Sequence, residues 1–255
     1  MFLSLFNEIF FRPLFNALVV ITDFLPSNDL GLAVIILTLL VRIILFPLMH
    51  RSAETQTRMK MIEPELKKIR DNFKDKEEQA RRIMELYRTH GINPFSSLLL
   101  TFLQLPVLIA LYFVFRESIS SNASFLYSFV SMPENIHTNF LGLIDLGGRS
   151  VALAAVAGIS QFLQLKLAQL PGPAAEKKKT PGGASDFGQI FSKQMVYMMP
   201  VLIFFITLRF PAAVGLYWTT TNVFGSLHEG IIRGKARKIY EGRNGKNSGV
   251  SGSPA

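Results

Sequence analysis

Long apolar runs alternate along this chain with strongly polar stretches. Five windows stand out: Gly31 to Leu48, Ser96 to Phe115, Ser150 to Leu165, Met195 to Leu208 and Phe210 to Ser226. Their 85 residues contain a single formal charge, Arg42. At the chain-wide charged fraction of 18% they would hold about 15. Such segregation marks segments that cross a bilayer, not the core of a water-soluble domain. The expected fold class is an all-α membrane protein with five transmembrane helices.

The polar stretches carry their own periodicities. Before the first window, Phe2, Leu5, Phe6, Ile9 and Phe10 recur at helical spacing while Glu8 and Arg12 mark another face. Residues 1–30 are therefore expected as a helix lying in the outer interface, with a frayed sixth span as the rival reading. The segment has no basic n-region and is not Arg-rich, so it fits neither a signal nor a transit peptide. In residues 49–95, Met61, Leu66, Ile69 and Phe73, then Ala80, Ile83, Leu86 and Tyr87, follow spacings of three and four, which predicts an amphipathic helical hairpin. Pro64 suits a first helical turn, Asn72 to Lys76 supplies the bend, and Gly91 with Asn93-Pro94 ends the second helix.

The first transmembrane helix is expected at 31–48, the second at 96–115, the third at 150–165, and the fourth and fifth as a tight pair within 195–226. An outer loop at 116–149 includes Phe125, Leu126, Phe129 and Val130, which are placed to skim the membrane surface. The Pro, Gly, Ala and Lys content of Leu170 to Gly188 marks 166–194 as a flexible cytoplasmic loop, and 227–255 is expected as a basic disordered tail. Met195 to Leu208 covers only about 21 Å, so this span must recruit residues from Ile190 onward or thin the bilayer.

Charge orients these segments. Lys and Arg number 11 in 49–95, five in 166–194 and six after Ser226, against one before the first window, two in 116–149 and one, Arg209, between the last two windows. By the positive-inside rule the rich side is cytoplasmic, with the N-terminus outside and the C-terminus inside.

Arg42 is the most informative residue, because an arginine within a span costs about 2.5–3.5 kcal/mol on insertion scales and normally has a partner. No Asp or Glu lies in any window, so its charge must meet water, backbone carbonyls or an acid on another molecule. The competing reading is a side chain that snorkels from about 9 Å inside the cytoplasmic end. Thr38 lies one turn away on the same face, and Gln104, Ser160, Gln161, Gln164, Thr219, Thr220, Thr221 and Asn222 dot the other windows. Singly each serves as interhelical glue; beside an unpaired arginine, together, they point to a wet groove. Tyr217 and Trp218 are either interfacial anchors or, for Trp218 at mid-window, groove-facing.

Catalytic patterns are missing. His50, His90, His137 and His228 are scattered outside the windows, and there is no zinc motif, nucleophile elbow or phosphate loop. The sequence has no cysteine, which removes thiolate chemistry. No catalytic residue, metal or cofactor is therefore expected, and the protein is not expected to be an enzyme. The tail bases Arg233, Lys235, Arg237, Lys238, Arg243 and Lys246 could meet RNA phosphates, but from sequence alone a topology signal or anionic-lipid contact is the stronger reading.

Several motifs carry a family resemblance: Val41-Arg42-Ile43 to Phe46-Pro47-Leu48, the charged hairpin, Gly91-Ile92-Asn93-Pro94, Gln104-Leu105-Pro106 with Ala110-Leu111-Tyr112, Gly158-Ile159-Ser160-Gln161, and Met199-Pro200 through Phe210-Pro211 to Leu216-Tyr217-Trp218. In this order, from about Asn7 to Arg233, the chain resembles the YidC family of membrane protein insertases, relatives of mitochondrial oxidase-assembly and thylakoid Albino3 proteins. The resemblance implies five helices around a positively charged hydrophilic groove open to the cytoplasm and lipid. It also implies a chaperone-like insertase that needs no nucleotide, in a bacterial plasma membrane. Arg42 would be the groove arginine, with Gln104, Gln161 and Trp218 at groove-lining positions, joined by Thr38, Gln164 and Asn222 as candidate substrate contacts. Implied partners are nascent membrane proteins and the bilayer, with the ribosome (through the basic tail) and the general secretory translocon as further candidates. The sequence departs from Gram-negative members in having no large periplasmic domain and from many short Gram-positive ones in having no lipoprotein cysteine. The reading from another class is a small-solute transporter or channel with Arg42 as an anion site, opposed by the lack of a broken-helix repeat.

Overall fold

The computed structural model describes residues 2–93, 95–116, 119–169 and 185–248. It is almost entirely helical. α1 (Phe2–Phe6) passes through a π turn (Asn7–Phe11) into α2 (Arg12–Phe24), followed by α3 (Leu30–Ile44), α4 (Phe46–Met61), α5 (Glu63–Asn72), α6 (Lys76–Thr89) and α7 (Phe95–Arg116). A 3₁₀ segment (Ile119–Phe125) and a two-stranded hairpin, β1 (Asn139–Phe140) with β2 (Ile144–Asp145), precede α8 (Val151–Gln169), α9 (Ser185–Arg209) and α10 (Ala212–Ser248).

The apolar windows become α3 with the start of α4, α7, α8, α9 and the first part of α10. The first window, expected as one helix over 31–48, is bent by 64° between α3 and α4. Pro47 explains the break: in the first turn of α4 it has no N–H to give, whereas inside a continuous helix it would clash with the carbonyl four residues back. α9 reaches back to Ser185 and is about 37 Å long, but its apolar part is the shorter stretch Gln194–Arg209. The tail also departs from expectation. Residues 227–248, anticipated as disordered, continue α10, and their Lys, Arg, Glu and Ala residues are good helix formers. Residues 170–184 and 249–255, anticipated as flexible, lie outside the described residues.

One core joins most elements. Phe15, Leu18 and Val19 of α2 pack with Leu30, Ala33, Val34 and Leu37 of α3, Val107, Ala110, Leu111 and Val114 of α7, and Ala213 and Leu216 of α10. The helical spacing of each set gives each helix one stripe facing inward. This core lies at one end of the bundle, the loop end, where the segment 119–150 stitches helix termini together. Leu30 N donates to His137 O, Ala212 N to Gly148 O and Ala213 N to the carbonyl of the fully buried Leu146. By length and composition Ser4–Phe24 would qualify as a span. Yet Arg12 Nε and Asn16 Nδ2 donate to Phe125 O at 3.2 and 2.9 Å, and Tyr127 N donates back to Asn16 Oδ1 at 2.7 Å. The far end of α2 turns directly into α3, so both its ends touch loop-end segments.

At the opposite, hairpin end, α5 and α6 pack through Leu66, Ile83, Leu86 and Tyr87, closed by Ile62 and Ile92. Asp75 caps α6 by accepting from Glu77 N, and Gly91 at φ 62° stops it. Ile62 takes the buried place expected for Met61, which is 65% exposed.

Candidate functional site

Polarity changes along four helices, and contacts between α3, α8 and α10 bring three of these changes together. α3 is apolar from Leu30 to Leu37 and then presents buried Thr38 and Arg42; α10 is apolar from Ala212 to Leu216 and then presents Tyr217, Trp218, Thr221 and Asn222. α8 buries Leu153, Ala154 and Ala157 before Ser160, Gln161 and Gln164, while α7, running the other way, places Gln104 before Val107. The loop-end half is thus sealed by hydrocarbon, and the hairpin-end half collects the polar side chains.

Arg42 stands on the polar side. It is 8% exposed, and its Nη1 lies 3.6 Å from Met49 Sδ, across the α3–α4 bend. No carboxylate pairs with it among the described residues. Beside it lies Tyr217, 3% exposed, with the Thr221 hydroxyl next to its own. Buried hydroxyls are normally satisfied. A guanidinium without a carboxylate partner, beside two neighbouring hydroxyls, makes a site that accepts water or the polar groups of another chain.

The other expected site residues divide. Trp218 Nε1 donates to Gln161 Oε1 at 2.8 Å, joining α10 to α8. Asn222 Nδ2 donates to Ser160 Oγ at 2.9 Å. Gln164 lies so close to Gly225 that a side chain there would collide with its amide. Thr38 is back-bonded to Val34 O at 2.6 Å, so its hydroxyl is satisfied by its own helix. Gln104 is half-buried on α7. Because Tyr217 and Trp218 are successive on α10, they point to different neighbours: Tyr217 with Thr221 towards α3, Trp218 with Asn222 towards α8.

Tyr217 and Met49 were not anticipated beside Arg42. The i, i+4 relation of Tyr217 to the buried Ala213 and to Thr221 carries the signal for the first. Met49 is hidden by the bend. Equally unforeseen is a ring cluster on the hairpin side, where His228 lies 4.8 Å from Phe46 and 5.7 Å from His50, and His50 Nε2 is 3.3 Å from Glu54.

A family model described as "60Kd inner membrane protein" matches residues 21–238. Among curated proteins, "Membrane protein insertase YidC 2" of Bacillus anthracis is 29% identical over 239 residues, covering 91% of this chain and 82% of that protein. "Membrane protein insertase YidC" of Fusobacterium nucleatum is 31% identical over 210 residues, covering 82% and 88%. The namesake from Francisella philomiragia is 29% identical over 234 residues, but this chain spans only 36% of its length. A solved structure described as an active YidC insertase with its first transmembrane domain resolved superposes with a TM-score of 0.55 at 20% identity, over 87% of this chain and 45% of that one, which is a likeness of fold.

Proposed function

This chain belongs to the 60Kd inner membrane protein family, and from that premise we propose how, as a membrane protein insertase, it moves its clients. Five spans, formed by α3 with the start of α4, α7, α8, α9 and the first part of α10, surround a groove open to the cytoplasm and closed outside. α1 and α2 lie in the outer interface, the α5–α6 hairpin is cytoplasmic, and so is the C-terminus.

The observation that carries this reading is the change from apolar to polar along four helices away from their shared core, with Arg42 on the polar side and no carboxylate paired with it among the described residues. A hydrophilic client segment entering such a groove has only the sealed half of a layer about 30 Å thick left to cross without water. Acidic client groups supply the counter-charge that Arg42 lacks, while the client's apolar helix passes sideways into lipid. Arg42, Gln104, Gln164 and the Trp218–Gln161 pair are the client-facing residues. Thr38 and Asn222, whose polar atoms are engaged, shape the walls. Binding is weak because each client must leave, and no nucleotide or other cofactor is required. The α5–α6 hairpin receives clients, and the basic end of α10 offers contacts to ribosomes; the secretory translocon is a further partner.

The test is insertion of a single-spanning client into proteoliposomes without ATP, with acidic or neutral translocated tails. Arg42→Ala impairs acidic tails most, and Arg42→Lys retains more activity. Undiminished insertion of both tails by Arg42→Ala would remove this residue from the mechanism.

A further inference from the structure

The loop between β1 and β2 is three residues long, Leu141-Gly142-Leu143, and is hydrogen-bonded at both ends. Gly142 N donates to Asn139 O and Leu143 N to Phe140 O, while Asn139 faces Asp145 and Phe140 faces Ile144 across the ladder. Leu141 adopts φ 51° and Gly142 φ 73°. A left-handed leucine is unusual, and such an outlier persists only where its surroundings hold it. Here the holder is Asp29, whose Oδ2 accepts from Leu141 N at 2.7 Å while Oδ1 caps α3 through Gly31 N and Leu32 N. Phe140 covers Gly31 so closely that a Cβ there would meet its ring.

This anchoring fixes the height of the tip at the residue that opens the first span. What it presents there is apolar: Leu143 is 84% exposed and Leu141 59%, so neither leucine serves the core. Behind the tip stand Asn139 and Asp145, about 7 Å back at roughly 3.3 Å per strand residue. An apolar end of that depth, backed by a polar pair, matches the penetration of interfacial elements into the boundary between headgroups and acyl chains.

We propose that the 141–143 tip is a membrane wedge, held in shape by Asp29 and inserted into the outer leaflet of the bilayer. The occupant is lipid because the strap carrying the tip is hydrogen-bonded to the first residues of α3 and α10, placing both leucines at the outer edge of the lipid-facing surface. The inference rests on the orientation proposed above.

The absence of cysteine allows single-site labelling of the full-length protein. Leu141→Cys, Leu143→Cys, Asn139→Cys and Asp145→Cys are each labelled with an environment-sensitive fluorophore and reconstituted in phosphatidylcholine–phosphatidylglycerol vesicles. Labels at 141 and 143 are expected to be quenched several-fold more by shallow acyl-chain-brominated lipid than by aqueous iodide, with the order reversed at 139 and 145. Equal iodide quenching at all four positions overturns the wedge. Protection of 143 from both quenchers also overturns it and indicates coverage by protein. Labelling of Asp145→Cys in intact cells with an impermeant thiol reagent tests the orientation separately, since depth in vesicles is read whichever way the protein faces.

Discussion

At the scale of single residues, two buried polar side chains on facing elements carry different kinds of work. Asn222 is 2% exposed and its amide is taken up by Ser160, so it ties α10 to α8. Hydrogen bonds between membrane helices average about 0.6 kcal/mol and reach about 1.7. Asn222→Ala should therefore lower unfolding stability in detergent micelles by an amount in that range while insertion of a neutral-tailed client continues. Arg42 shows the opposite separation. Its guanidinium has a sulfur beside it and no paired carboxylate among the described residues, so Arg42→Ala should lower unfolding stability little while it impairs insertion of acidic-tailed clients. Asp29 serves three backbone amides at once, and two of its bonds, at 2.7 Å, are short enough to count as charge-assisted. Its cap was readable as an Asp before an apolar run. The third bond, to Leu141 112 residues away, was not.

At the scale of elements, small residues set the distances between helices. A Cβ on Gly158 would stand 3.1 Å from Pro200 O and 3.4 Å from Phe204 Cβ, so α8 and α9 nearly touch there. Gly158→Leu should overpack this crossing and cost about 1–3 kcal/mol, seen as a lower midpoint in thermal unfolding in micelles. The α4–α10 contact should respond to pH through His228. Burial, assisted by nearby His50 and opposed by Glu229, holds the His228 imidazole below its ordinary pKa. On acidification the unfolded chain therefore gains this proton first. The stability associated with neutral His228 is complete above about pH 6.5 and declines as pH falls from there through the folded-state value. Unfolding measured from pH 8 to 5 should show that decline, and His228→Gln should flatten it. The α3–α4 bend was half legible: Phe46-Pro47 is a breaker, but the 64° turn depends on where α4 finds its packing against α7 and α10.

At the scale of the whole molecule, charge and polarity point the same way. The basic residues of α4 to α6 lie at the hairpin end, which is also the end where the helices turn polar. A C-terminal tag should accordingly resist protease added to intact spheroplasts, and a tag in the 126–136 segment should be cleaved. The five windows were visible because charge is excluded from hydrocarbon wherever the chain folds, and that exclusion is written residue by residue. The Arg42 site was visible in part for the same reason: an unpaired charge in an apolar run stands out. The β1–β2 hairpin was hidden because two-residue strands carry no periodicity, and the α10 extension because a basic helix and a basic coil share a composition.

The five apolar windows, their helical character, the uneven placement of basic residues and the exceptional position of Arg42 follow from sequence alone, since each depends on local transfer free energies and periodicity. That Met49 and Tyr217 stand beside Arg42, that the polar residues of α8 and α10 meet, and that Asp29 holds a distant leucine tip were decided by tertiary structure. These relations need segments up to 180 residues apart to pack side by side, and no local preference encodes that.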